Sequence, residues 1–170
     1  RAVLMGDIAD IVTAGTALAT VLDSNVARAR PNHAHAIPRG TDTEQLRGWR
    51  GPCQVGYRYH TTSPCSRAGV CSDNVFDIVV AWQYFASKDG LGLFVKDAHV
   101  YVEVHSVGLG GSFSVTAKFN DIAGWDGDQR SPVAIMGGEC DIFHEHFGMT
   151  EDSDHLHFEI RGDGAGRIWT

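Results

Sequence analysis

The chain is poor in the residues that usually announce a function early. It has four cysteines, five prolines, three methionines and three lysines among its 170 residues. No Cys-x-x-Cys pair occurs, which excludes the common zinc-ribbon and dithiol spacings. No Asn-x-Ser/Thr sequon occurs, so N-glycosylation is not expected, and no P-loop, Gly-x-Ser-x-Gly elbow or dinucleotide fingerprint is present. The apolar, charge-free run Ile11–Leu22 is twelve residues, short of the roughly 20 that a membrane-crossing helix needs. Repeats, linkers and low-complexity tracts are absent, which predicts a single domain over residues 1–170.

Charge of one sign is also scarce in each half. Residues 1–70 carry eight Arg, no Lys and five acids, whereas residues 71–170 carry six bases and sixteen acids. The net charge of −7, without a basic patch interleaved with aromatics, excludes a nucleic-acid partner. The Arg-rich first part is either compensated by the acidic remainder or directed at an anionic partner. The 43% hydrophobic content is enough for an ordinary buried core.

The cysteines present are Cys53, Cys65, Cys71 and Cys140. Their even number predicts two disulfides in an oxidising compartment, with three connectivities open; four free thiols in a cytosolic protein is the alternative. The chain begins at Arg1, as a processed secretory product would, so an extracellular location is expected.

Hydrophobic spacing predicts two helices. In residues 7–27, Ile8, Ile11, Val12, Leu18, Val21, Leu22 and Val26 fall near helical spacing, as a helix buried in the domain or inserted into a membrane surface would. In 72–87, Val75, Ile78, Val79, Trp82 and Phe85 share a stripe, with Ser72 or Asp73 as cap and Gly90 as stop. Thr41-x-x-Glu44 suggests a capping box for a short helix through Trp49. Strands are predicted at 54–61, 97–105, 112–119 and 133–136; the second and third alternate apolar and polar residues without error. The fold class expected is therefore α+β: an antiparallel sheet covered on one face by two helices, a two-layer sandwich stabilised by disulfides.

Four of the nine histidines lie within fourteen residues, in HEHFGMTEDSDHLH (144–157). Period-two alternation pairs His144 with His146, and His155 with His157 and Glu159, on the faces opposite Phe143/Phe147 and Leu156/Phe158/Ile160. Joined by a loop over GMTEDSD, the two strands would present all four imidazoles outward, as a zinc site, a pH-sensitive cluster or a solvated face. HLHFEIR resembles the second histidine motif of lysostaphin-type zinc metallopeptidases, which implies one zinc-binding and one catalytic histidine. The family's His-x-x-x-Asp motif has no counterpart here. Gly138, His144, His146 and Glu151 are similarly spaced to the first cupin metal motif, although Phe158 stands where that motif closes on glycine.

These observations predict a secreted, toxin- or effector-like protein that acts by binding a protein or membrane-surface target more than a small molecule. The alternative is a zinc-dependent hydrolase using the histidine cluster, with Glu159 or Glu145 as base.

Overall fold

The described residues fold almost wholly into strands. The computed structural model describes residues 11–14, 18–23, 27–30, 33–62, 73–106, 111–120, 123–146 and 149–170, with side chains placed for 33–60, 73–106, 113–120, 123–143 and 154–170. In chain order the strands are β1 (Ile11–Ala14), β2 (Leu18–Asp23), β3 (Ala27–Arg30), β4 (Ala34–Pro38), β5 (Arg50–Thr62), β6 (Asp73–Lys88), β7 (Leu91–Ser106), β8 (Gly111–Phe119), β9 (Gly124–Asp128), β10 (Ser131–His146), β11 (Met149–Arg161) and β12 (Gly166–Trp169).

Two runs of antiparallel strands face each other: β3-β2-β8-β10-β11-β12 and β5-β6-β7-β4-β1. A parallel pairing of Leu93 on β7 with Val133 on β10 joins them, and β9 flanks the start of β10. Phe76 of β6 stacks on Phe113 of β8 at 3.9 Å between ring centres, so the core fills the space between the runs. At the opposite corner Trp82 Nε1–H donates to the Arg161 carbonyl and the Phe85 N–H to that of Gly162, leaving a nearly closed, barrel-like sheet. Gly162 makes this corner possible, because a Cβ there would overlap the Leu93 carbonyl.

This architecture overturns the α+β expectation of two helices on a sheet. The helix expected over 72–87 is instead a strand: residues 73–88 are β6, with Phe76, Ile78, Val80 and Trp82 facing the core. The run IVVAW satisfies helical and strand spacing at once. Its β-branched and aromatic residues pair across both edges, with β5 and β7, and the long-range ladders decide. The left-handed Phe85 (φ 73°) bends the strand where a helix was expected to continue. Within 7–27 the described residues are strands β1, β2 and part of β3, rich in Ile, Val and Thr, and the remainder lies outside the described residues. Among the described residues no helix is long and apolar enough to cross a membrane. The capping box expected at Thr41-x-x-Glu44 sits one residue on, at Asp42 and Gln45, and closes only a 3-10 turn at Thr43–Gln45, where the Gln45 side chain accepts from the Asp42 N–H at 2.9 Å.

The disulfide expectation is corrected as well. Cys53 and Cys140 are free thiols, and Cys65 and Cys71 lie outside the described residues. Alternation turns Cys140 into the core, opposite Ala117 on one side and Leu156 on the other, so neither register neighbour is a cysteine. Burial pushes its thiol up to about 12. Cys53, on β5, donates from Sγ to the Gly164 carbonyl at 3.3 Å and helps close the barrel corner.

Candidate metal centre

The sequence pattern of β11 decides its own faces. Leu156, Phe158 and Ile160 are fully buried, which turns His155 and His157 outward. On β10 the inward set is Ala134, Met136, Cys140 and Ile142, so Glu139, Asp141 and Phe143 point out. Phe143 had been expected in the core with Phe147; it is 44% exposed, because Ile142 and Cys140 hold the inward positions. Phe147 lies outside the described residues.

The hairpin register then selects the site. Asp141 stands opposite His155 and Glu139 opposite His157. β10 runs to His146 and β11 starts at Met149, inside what had been expected as a seven-residue loop. His144 therefore pairs with Asp152 and His146 with Met149. Three residues separate His144 from the register of His155, which is roughly 10 Å along the strand. In the other ladder His144 stands opposite Phe113, before a register shift at His144/Glu145. The side chains of His144, His146 and Glu145 lie outside the described residues. The structure brings together His155 and His157, and supplies two acids that sequence reasoning had not selected.

Glu139, His155 and His157 each offer a ligand atom within 4.8 Å of the others. The two imidazole rings meet edge to face at 4.6 Å between centres. His155 lies between two carboxylates: Nδ1 is 2.6 Å from Asp141 Oδ1, and Nε2 is 3.4 Å from Glu139 Oε2. The hydrogen bond to Asp141 holds this imidazole above its ordinary value, against the smaller effect of desolvation, with Glu139 adding in the same direction. On the far side His157 stacks on Trp169 of β12 at 5.8 Å, and the Arg167 guanidinium lies over the same indole at 4.6 Å. Glu159, expected as a possible base, is engaged by Arg167 Nη2 at 3.4 Å.

The signal for the missed acids was present. Glu139-x-Asp141 alternates outward on the strand that precedes the first His-x-His pair. Finding it required the turn position, since a hairpin's loop length sets its register. No protein-family model, curated protein or solved structure matches this chain.

Proposed function

We propose that this chain is a binding protein whose outward β10–β11 face holds one divalent transition-metal ion on Glu139, His155 and His157. One observation carries the reading: a carboxylate and two imidazoles from paired strands lie within 4.8 Å of one another. Ligand atoms around a tetrahedral zinc, bonded at about 2.0–2.1 Å, sit roughly 3.4 Å apart, so small side-chain rotations close the set. Two nitrogens and one oxygen suit zinc better than calcium or magnesium, which prefer oxygen alone.

Three protein ligands leave a coordination position open, and the strand face directs it to solvent. The binding class is favoured over hydrolysis because Glu159, the described acid expected as a base, is occupied by Arg167. The open position suits a donor side chain from a partner protein, in keeping with the effector-like role expected from the sequence.

Calorimetric titration of zinc into the metal-free chain at pH 7.5 tests this directly. One ion per chain is expected, with binding lost in Glu139→Gln/His157→Ala. Unchanged stoichiometry and affinity in that double variant would overturn the proposal.

A further inference from the structure

We infer that Asp141 is a positioning residue for this site, holding the His155 ring so that Nε2 faces the ion. The inference rests on the metal-site reading above and goes beyond its ligand set. The two nitrogens of His155 address two different acids at alternate outward positions of β10. Nδ1 meets Asp141, directly opposite in the register, at 2.6 Å; Nε2 approaches Glu139, the diagonal neighbour, at 3.4 Å. His157 stands opposite Glu139, so the ligand cluster lies on the Nε2 side of the ring, and Asp141 lies behind it.

A neutral imidazole has one N–H donor and one lone pair. Given to the Asp141 carboxylate, the N–H must sit on Nδ1, which leaves the Nε2 lone pair for a metal. The same contact limits ring rotation, and His155, 42% exposed at its side chain, has few other restraints. A carboxylate behind a metal-binding histidine does this in many metal sites, and its removal typically lowers affinity 10- to 100-fold. Free imidazole carries no such instruction, so an exposed pair of histidines alone would be a weaker and less selective ligand set.

The role can be read without metal. In the 15N-labelled metal-free chain at high pH, the neutral His155 ring should carry its proton on Nδ1. Asp141→Ala should move the proton largely to Nε2, while Asp141→Asn, which keeps an acceptor oxygen, should retain the Nδ1–H form. Zinc affinity should fall 10- to 100-fold in Asp141→Ala with one ion still bound per chain, and recover most of the loss in Asp141→Asn. Dispersed amide signals for β10 would show that the variants remain folded. An Nε2–H ring in the unaltered chain, or equal zinc affinity in Asp141→Ala, overturns the positioning role and leaves the three-ligand site standing. No zinc binding by the unaltered chain removes the site and this role together.

Discussion

Two outward sheet faces of this protein use histidine–carboxylate contacts, and they end in opposite states. On the β5–β6–β7 face, Asp77 accepts from Arg58 Nε and Nη2 at 2.8 and 3.0 Å and contacts His105 Nε2 at 2.8 Å. Arg58 stands directly across the ladder from Asp77, and its guanidinium holds the Asp77 carboxyl well below the usual carboxylate range, with His105 adding to the effect. On the β10–β11 face, Glu139 and Asp141 both find their ion-pair partner in the same imidazole, His155. A permanent cation completes the first network. In the second, Lys118 of β8 stands opposite Glu139 across the other ladder, yet the described ion-pair contacts of both acids go to His155, whose proton a divalent ion can replace. Composition alone does not distinguish them; the contacts that the acids make across the β5–β6 and β10–β11 ladders do.

The comparison holds only if outward residues can be changed without disturbing the core beneath, and this gives the largest expected effect. Phe158, 1% exposed, alternates with His157 on the same strand and packs edge to face on Phe119. Phe158→Ala should cost about 3–5 kcal/mol in urea unfolding, whereas His157→Ala should stay within about 0.5 kcal/mol. Comparable costs would mean that the faces of β11 are misassigned.

The next effect separates the two faces by metal. At a free zinc concentration 100 times its dissociation constant, the ion should stabilise the native chain by about 2.7 kcal/mol, read as a raised Tm at pH 7.5. His155→Ala/His157→Ala should abolish that rise. His105→Ala should keep it, because that histidine belongs to the closed network. A zinc effect lost in His105→Ala would erase the distinction drawn here.

The smallest effects are those of pH on the metal-free chain, and they have opposite signs. The His155 value is raised above its ordinary 6.5, so its contribution is fully present below that pH and lost as pH rises through the folded value. The Asp77 value is lowered from 3.8, so its contribution is present above that pH and lost as pH falls through the folded value. The Tm difference between the unaltered chain and His155→Ala should therefore shrink on raising pH from 6 to 9. The difference from Asp77→Asn should shrink only on acidifying below 4. Both groups are at the surface and the shifts should be modest; a shared direction would contradict the assignment of the two networks.

Much of the strand pattern was legible because local alternation carries it. Leu156, Phe158 and Ile160 announce the inward face of β11, and Phe113, Val115, Ala117 and Phe119 that of β8. The strand at 73–88 was not legible where a helix was expected over 72–87, since Val75, Ile78, Val79 and Trp82 fit a helical stripe while Phe76, Ile78, Val80 and Trp82 fit a strand. Pairing with β5 and β7, both distant choices, settles it. At the site, the outward placement of His155 and His157 was legible. Their partners were not, because Ile142 and Phe143 compete for the core and the turn position sets the register over many residues.

The central claim is that Glu139, His155 and His157 form one ligand set. Crystals of the zinc-loaded chain, measured on both sides of the zinc absorption edge, test it most directly. The account predicts a single anomalous peak bonded to imidazole nitrogens of His155 and His157 at about 2.0–2.1 Å, with a Glu139 oxygen completing the protein ligands and Asp141 on the His155 Nδ1. A peak at His105 and Asp77, or zinc bound through His144 and His146 without Glu139, would contradict it.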